Sequence, residues 1–259
     1  MEKLTSDRFK AQVDAGELVS FKVGRHEYIH QKGNPGWRNS DTEMFPIIGP
    51  TIDADFMVET PSGMAVQDQH GLLRELVYEM VSQTDTKVVY QKKYSAGTEI
   101  KNSKFPSKSS AAFLTWPYDF SFEKTYELKE NSLEITFTII GQEGMPYMLG
   151  YHPAFYLHNL APIIETGTKK IGLDEILAVG SRALEVKDCS SIILNDKKKL
   201  TIKTQGFGSF MLWTEVPNMV CIEPITFYPY SVTQQLLATG FQLLGKVPHV
   251  STVTLIPED

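Results

Sequence analysis

The chain has 259 residues, of which 42% are hydrophobic and 22% are charged, and its formal net charge is −6. This length and composition suit one globular domain with a sizeable core. A negative net charge without a large basic cluster argues against a nucleic-acid partner. The two cysteines, Cys189 and Cys221, are too few for a disulfide scaffold.

Segments that target proteins to or across membranes are not recognisable in the sequence. Residues 1–19 lack the apolar stretch of a secretory signal peptide. No apolar run approaches the roughly 18 residues that a membrane-spanning helix requires. We therefore expect a cytoplasmic protein with no membrane partner.

Near the N-terminus, a short helix is predicted in "SDRFKAQVDAG", residues 6–16. A second short helix is predicted around "QHGLLRELVYEM", residues 69–80, although the alternation at its end fits a strand equally well. These are the only helix candidates in the sequence.

Between the two helix candidates, residues 26–30 read His-Glu-Tyr-Ile-His, which is the H-E-x-x-H signature of zinc metalloproteases. The signature requires a helix, because only there do both histidines reach one ion. The preceding residues 17–23 alternate between polar and apolar, which predicts a strand, and "KGNPG" predicts a turn after a second strand. On strands, positions four apart lie roughly 13 Å from each other. We therefore interpret the string as a chance match and predict no metal.

Strand patterns dominate the rest of the chain. They occur in residues 87–94, 111–140, 190–204, 210–216 and 251–257, with turn chemistry between them. Residues 190–204 predict a hairpin around Asn195-Asp196. Many short strands, without a linker or repeat, predict an all-β sandwich of large antiparallel sheets over residues 1–259 as a single domain.

Two charge runs have plain structural interpretations. Residues 196–200, "DKKKL", fit a solvated hairpin tip. In residues 101–110, "KNSKFPSKSS", the side chains of Lys101, Lys104 and Lys108 could meet a phosphate group. A surface loop is the simpler interpretation, because loops commonly have this composition.

Three stretches place reactive side chains among glycines, prolines and aromatic residues. They are "QDQHGLLRE" with His70 and Arg74, "MLGYHPAFYL" with His152, and "MVCIEPITFYP" with Glu223. A carboxylate that follows the apolar run "MVCI" is poorly solvated in a buried strand, so its pKa is raised and it can act as a general base. Each residue taken singly could equally be structural. Together they supply the groups that acid–base chemistry on a polyol requires.

At these residues the chain resembles the aldose 1-epimerases (mutarotases), and more closely their short bacterial members. The opening hairpin "GELVSFKVGRHEYIHQKGNPGW" is similar to that of the family. Further matching segments follow in the family's order: "MFPIIGP", "QHGLLRE", "WPYDFSFEKTYEL", "GYHPAFYL" and "CIEP". The resemblance covers nearly the whole chain. It implies a galactose-mutarotase-like β-supersandwich with a sugar cleft.

The resemblance also implies residue roles. Glu223 matches the general base that takes the proton from the anomeric hydroxyl, and His152 matches the general acid that protonates the ring oxygen. His70 matches the second histidine, which binds and polarises the sugar. The implied reaction uses no cofactor and interconverts the α and β anomers of an aldohexose. A bell-shaped pH profile is expected, with its acidic limb from Glu223 and its basic limb from His152.

The sequence departs from the long galactose mutarotases in two ways. Pro50 occurs where their sugar-binding Arg would be sought, and their substrate-binding Asp has no clear counterpart. Arg74 and Arg38 are candidates for the missing guanidinium. Trp37, Trp116 and Phe155 could stack on a sugar face, although core packing is the expected role of at least two of these aromatic residues.

Two alternative functions remain open. A hexose-6-phosphate 1-epimerase would need Arg and Lys side chains at the pocket rim, and only Arg38, Arg74 and the lysines of residues 101–108 are available. A non-catalytic carbohydrate-binding β-sandwich would keep the aromatic residues and could discard the acid–base pair. Because His152 and Glu223 are both retained, the sequence favours an enzyme with a small sugar as its partner. The oligomeric state is not predicted.

Overall fold

Strands make up most of the computed structural model, which describes residues 1–167 and 169–258. In the first half of the chain they are β1 (Glu2–Thr5), β2 (Phe9–Asp14), β3 (Glu17–Val23), β4 (His26–Glu27), β5 (Asp41–Met44), β6 (Met57–Thr60), β7 (Gly63–Val66), β8 (Glu79–Gln83), β9 (Lys87–Tyr94), β10 (Ile100–Lys101), β11 (Phe113–Leu114) and β12 (Phe120–Leu128). In the second half they are β13 (Leu133–Gly141), β14 (Pro146–Tyr147), β15 (Gly150–Tyr156), β16 (Ile163–Glu165), β17 (Lys170–Gly172), β18 (Leu184–Val186), β19 (Ser191–Asn195), β20 (Lys199–Gln205), β21 (Ser209–Trp213), β22 (Met219–Ile225), β23 (Gln242–Leu243) and β24 (His249–Pro257).

Helical structure is sparse, as predicted. Within the described residues, one α-helix forms, α1 (Leu173–Val179). Short 3-10 segments occur at Ile52–Ala54, Leu72–Glu75, Pro229–Ser231 and Gln234–Gly240. No helix in this part of the chain has the length and hydropathy required to cross a bilayer.

The strands form two large sheets and smaller ones. The nine-stranded sheet has the order β17-β16-β19-β20-β24-β13-β12-β9-β8, and the five-stranded sheet has the order β18-β21-β22-β15-β5. The first four strands form a separate sheet in chain order. The strand pairings of both large sheets are antiparallel. The all-β prediction with large antiparallel sheets is therefore confirmed.

The predicted helix at residues 6–16 was wrong. Phe9, Ala11 and Val13 are buried and alternate with more exposed neighbours along β2. This period of two places the three apolar side chains on one face of a strand, whereas a helix would turn Ala11 away from Phe9 and Val13. Around residues 69–80 both interpretations hold in part, because a 3-10 turn is followed by β8.

The predicted hairpin at residues 190–204 was correct. β19 and β20 pair with Asn195 opposite Lys199, which leaves residues 196–198 at the tip. The charges of this run thus lie at the end of a hairpin, as expected of a solvated turn.

The core lies between the nine-stranded and five-stranded sheets. The ring centroids of Phe137 on β13 and Tyr151 on β15 are 5.1 Å apart. Trp116 is fully buried in the same core and therefore packs there rather than facing a ligand. Large aromatic residues bury much apolar surface, and this burial holds the five-stranded sheet in place.

A buried ionic cluster also joins the two sheets. Lys124 on β12 lies 3.0 Å from a carboxylate oxygen of Asp41 and contacts Glu43, both on β5. The hydroxyls of Tyr126 and Tyr151 donate to the other oxygen of Asp41 at 2.6 and 2.7 Å. Charges buried this deeply require such partners. The cluster fastens β5, an edge strand of the five-stranded sheet, to β12 of the nine-stranded sheet.

Candidate active site

The register between β15 and β22 places two predicted catalytic residues opposite each other. Gly150 pairs with Ile225 and Ala154 with Cys221, so His152 lies across from Glu223. Residues of one strand that are two apart share a face. The face that carries both side chains therefore points away from the core and forms the floor of a cavity.

His152 and Glu223 are in direct contact. Nε2 of His152 lies 3.3 Å from Oε1 of Glu223, and the residues are only 7% and 1% exposed. Burial raises the pKa of Glu223 to about 8, although the charge of Arg74 opposes this rise. Burial, aided by the charge of Arg74, lowers the pKa of His152 well below its usual 6.5. At neutral pH the pair consequently holds one proton, which resides on Glu223.

The raised pKa of Glu223 agrees with the sequence prediction, but the order of the two pKa values was not foreseen. Because the higher pKa belongs to Glu223, the pair loses its single proton from this carboxyl group as the pH rises. As the pH falls, His152 takes up the second proton. The expected assignment of the two limbs of the pH profile is therefore reversed.

Arg74 supplies a guanidinium to the same cavity. It lies in the 3-10 turn Leu72–Glu75, and its Nε donates to the backbone carbonyl of Glu43 at 3.0 Å. One terminal nitrogen, Nη2, and the carboxylate Oε2 of Glu223 are buried without a hydrogen-bond partner among the described residues. Burial lowers the pKa of Arg74 to about 10, so it is cationic at neutral pH. Buried polar atoms of this kind are available to a ligand.

His70 is held by a tight turn beside Phe45. Both His70 and Gly71 have positive φ angles, 72° and 80°, and a Cβ on Gly71 would lie 2.2 Å from the carbonyl oxygen of Phe45. The backbone N–H of Gly49 donates to Nδ1 of His70 at 3.3 Å. Burial lowers the pKa of His70 well below 6.5. The ring is thus neutral at neutral pH. Because Nδ1 accepts from Gly49, its proton lies on Nε2, which contacts the side-chain amide of Gln69 at 3.2 Å.

The four groups line one cavity of about 420 Å³. This volume falls in the range of roughly 300–1,000 Å³ that is usual for small-molecule sites. The ring centroid of Trp37 lies 4.2 Å from that of His152. The lining residues are Trp37, Gln69, His70, Arg74, Lys104, Lys108, His152, Ser181, Ala183, Met211, Trp213, Glu215, Glu223 and Tyr230.

Two residues predicted to contact substrate do not line this cavity. Arg38 is exposed and absent from the lining, so of the two arginine candidates only Arg74 is at the cavity. Phe155 is fully buried in the main core. It lies an odd number of residues from His152 along β15, and alternation turns its side chain to the opposite face of the sheet. Phe155 therefore does not stack on a sugar, and with Trp116 it has the core-packing role expected of at least two of the three aromatic candidates.

Sequence reasoning missed several lining residues, including Trp213, Met211, Glu215 and Tyr230. Trp213 lies opposite Cys221 and Met211 lies opposite Glu223 on the neighbouring strand β21. The stretch "FMLWTEV" predicted a strand, but only the register to β22 shows which face it presents to the cavity.

The lysine loop was expected to be a plain surface loop, yet it reaches the cavity. Lys104 and Lys108 are lining residues, whereas Lys101 is not. Nζ of Lys104 lies 3.1 Å from Asp68. Asn102 anchors the loop, because its side-chain amide donates to Asp68 at 2.9 Å and to the carbonyl of Ala111 at 2.9 Å.

The H-E-x-x-H string does not form the helix that its zinc chemistry needs. His26 and Glu27 form β4. The carboxylate of Glu27 accepts hydrogen bonds from the hydroxyl of Ser20 and the backbone N–H groups of Phe21 and Ile29, at 2.6, 2.9 and 3.0 Å. Glu27 thus fastens a turn. These contacts agree with the interpretation of the string as a chance match.

A different group could hold a metal ion. Donor atoms of His152, Cys221 and Glu223 all lie within 4.8 Å of one another. Among residues 1–167 and 169–258 this is the one group of three or more such side chains with this spacing.

Comparison with family models gives one assignment. The model of the aldose 1-epimerases matches residues 56–209, more than half of the chain. The chain belongs to the aldose 1-epimerase family. His70, Arg74 and His152 lie within the matched range, whereas Glu223 lies beyond it. The family membership confirms the resemblance that the sequence motifs indicated.

Solved structures of this epimerase family's fold resemble the chain over its full length. A galactose mutarotase related enzyme from Lactobacillus acidophilus has a TM-score of 0.81 at 17% identity, covering 100% of this chain and 97% of that one. A galactose mutarotase-like protein from Lactobacillus casei has a TM-score of 0.77 at 15% identity, with 100% of both chains covered. An aldose epimerase homologue from C. elegans has a TM-score of 0.69 at 9% identity, covering 99% and 98%.

These likenesses confirm the predicted galactose-mutarotase-like fold. Because the identities are below 20%, these structures show only that the folds are alike. A search of curated proteins gives no significant match.

Proposed function

We propose that this family member is an active aldose 1-epimerase that interconverts the α and β anomers of a free aldohexose. The observation that carries the proposal is the distance of 3.3 Å between Nε2 of His152 and Oε1 of Glu223. An acid and a base this close, facing a cavity of sugar size, suit the two proton transfers that ring opening requires.

In the proposed reaction, the Glu223 carboxylate takes the proton from the anomeric hydroxyl while the His152 imidazolium protonates the ring oxygen. The bond between C1 and the ring oxygen breaks, and C1 becomes the carbonyl carbon of the open-chain aldehyde. Rotation about C1–C2 and reclosure give the other anomer, with both groups reversing their roles. Proton transfer suffices for this chemistry, so the reaction needs no cofactor.

Ring opening starts from the less populated form of the pair, in which its single proton is on His152 rather than on Glu223. Opening transfers one proton from His152 to the sugar and one from the sugar to Glu223. The pair is then in the state that burial already favours, with neutral His152 and protonated Glu223. A histidine of low pKa is a strong acid once charged, and a carboxylate of high pKa is a strong base. The site therefore favours the protonation state that accompanies the open-chain intermediate.

The other polar groups would bind the sugar. Nε2–H of His70 is a neutral donor, since Nδ1 accepts from Gly49. It would donate to a sugar hydroxyl or the ring oxygen once the Gln69 amide, 3.2 Å away, gives way. Nη2 of Arg74 is buried without a hydrogen-bond partner among the described residues and suits a sugar hydroxyl. Arg74 would thus supply the guanidinium that was sought at the position of Pro50. Trp37 and Trp213 supply aromatic walls to the cavity, against which the apolar face of a pyranose can stack.

Anomer exchange tests the proposal directly. Purified protein is mixed with freshly dissolved α-anomers of several aldohexoses, and equilibration is followed by polarimetry or NMR. Acceleration above the buffer rate, proportional to protein concentration, is expected for at least one free hexose. An unchanged rate with every free and phosphorylated sugar would leave the non-catalytic carbohydrate-binding protein as the better account.

A hexose 6-phosphate is the second candidate substrate, and one observation favours it. Lys104 and Lys108 reach the same cavity as the acid–base pair, where their ammonium groups could meet a phosphate. The panel therefore includes 6-phosphates, and Lys104→Gln with Lys108→Gln separates the two substrates. A loss of activity confined to phosphorylated sugars would favour the phosphate ester.

A further inference from the structure

We propose that His152, Cys221 and Glu223 bind one soft divalent cation, such as Zn²⁺, and that this ion blocks the active site. Metal binding is independent of the function proposed above, whereas the block of turnover rests on it. No helix and no part of the H-E-x-x-H string takes part.

The geometry of two central strands creates the site. Cys221 and Glu223 are two residues apart on β22 and share a face, and His152 lies opposite Glu223 on β15. The 3.3 Å between Nε2 of His152 and Oε1 of Glu223 is close to the edge of roughly 3.4 Å that two ligands form around tetrahedral zinc with bonds of about 2.0–2.1 Å. All three donors lie within 4.8 Å of one another, and the thiolate of Cys221 would move closer by side-chain rotation to reach a zinc–sulfur bond of about 2.3 Å.

The donor set selects the class of metal. One imidazole nitrogen, one sulfur and one carboxylate oxygen suit zinc and its spectroscopic substitute cobalt, and do not suit magnesium or calcium. Three protein ligands leave a fourth position open toward the cavity. Trp37 and Trp213 pack around Cys221 and limit the access of solvent.

Neighbouring charges oppose the ion. Arg74, Lys104 and Lys108 line the same cavity and are cationic side chains, which lowers affinity for a cation. We therefore expect reversible binding in the micromolar range, well below the affinity of a structural zinc site. An ion on Nε2 of His152 and Oε1 of Glu223 occupies the atoms that would move protons, and so prevents turnover.

Cobalt absorption tests the site without reference to catalysis. Protein dialysed against EDTA and then freed of it is titrated with Co²⁺, and a thiolate-to-cobalt charge-transfer band is expected at one ion per chain. Zn²⁺ should abolish the band by displacement. Cys221→Ser should lose it, and zinc affinity measured by calorimetry should fall at least tenfold. Cys189→Ser is the matched control, because this half-buried thiol donates to the carbonyl of Ser191 and is not in the cluster; it should keep the band.

The wild-type titration alone can overturn the proposal, whether or not the variants fold. Absence of the band in wild type, or its persistence in a folded Cys221→Ser protein, would contradict the site. In an active enzyme, Zn²⁺ should inhibit competitively with sugar. Cys221→Ser should raise the inhibition constant for Zn²⁺ at least tenfold over the wild-type value, with inhibition of each protein measured against its own zinc-free rate. A cobalt band in a protein inactive on every sugar would support the metal site and contradict the proposed epimerase function.

Discussion

His152 and Glu223 face each other across two neighbouring strands, 3.3 Å apart, and burial moves their pKa values in opposite directions. In water a glutamate is the stronger acid of such a pair. In this cavity the order is inverted, because removal from water disfavours the charged form of each group. The inversion governs the expected pH dependence of both activity and stability.

The pH profile of kcat/KM should be bell-shaped, with its basic limb near pH 8 and its acidic limb below pH 6.5. The active form carries one proton on the pair, which is lost through the pKa of Glu223 at about 8, and a second proton is gained through the lowered pKa of His152. Since kcat/KM reports groups of the free enzyme, anomer exchange at low sugar concentration measures both limbs. A basic limb below pH 6 would contradict the raised pKa of Glu223.

Glu223→Gln should lower kcat by roughly 10²–10⁴, the range for loss of one acid–base group, while sugar binding persists. Gln keeps the size of the side chain but cannot accept a proton. Progress curves from polarimetry and sugar binding by calorimetry measure the two effects. Glu130→Gln, at an exposed turn, is the control for the substitution itself and should retain the parent rate. Parent-rate turnover by Glu223→Gln would remove Glu223 from the mechanism.

The same substitution should stabilise the fold, and more so as pH rises. An acid whose folded pKa of about 8 exceeds its unfolded value of 4.5 keeps its stability contribution below pH 4.5 and loses it as pH rises toward 8. The loss is up to about 1.4 kcal/mol per pH unit, and Gln escapes it. Denaturant unfolding of both proteins at pH 5 and pH 8 measures the difference. An equal difference at the two pH values would show that Glu223 ionises normally.

The two histidines should differ in what their removal changes. His152→Asn should lose most of the rate together with the acidic limb of the pH profile. Asn, unlike His152, cannot take up the second proton. This limb differs from the basic one that sequence reasoning assigned to His152.

His70→Asn should instead raise the dissociation constant for sugar as well as lower the rate, since the Nε2–H donor is lost. Both variants are compared by calorimetry and by anomer exchange from pH 5 to 9. A His152→Asn enzyme at full rate with an unchanged profile would require a different acid.

Metal removal should not lower activity. Proton transfer between His152, Glu223 and the sugar needs no ion, and Glu27 of the H-E-x-x-H string is occupied by backbone and hydroxyl donors. EDTA is expected to leave the rate unchanged, or to raise it if an inhibitory ion is present. Metal analysis of His26→Ala completes the test. One tightly bound zinc per wild-type chain that is lost in this variant would restore the zinc-hydrolase interpretation.

Local patterns in the sequence predicted most of the strands, the hairpin at residues 190–204 and the candidate site residues His70, His152 and Glu223. Alternation and turn chemistry act over a few residues, so they can be read directly from the chain. The same patterns showed that the H-E-x-x-H string has no helix to support it. At residues 6–16, where the sequence predicted a helix, the burial of alternate side chains against a sheet decided for a strand.

Only the tertiary structure decided which side chains share the cavity. Pairing of β15 with β22 and with β5 is long-range, and a shift of one residue in register would exchange the two faces of a strand. For this reason Phe155 is in the core while Trp213 lines the cavity, and Arg74 rather than Arg38 supplies the guanidinium. The inverted pKa order has the same origin, because burial depends on what the fold places around each group.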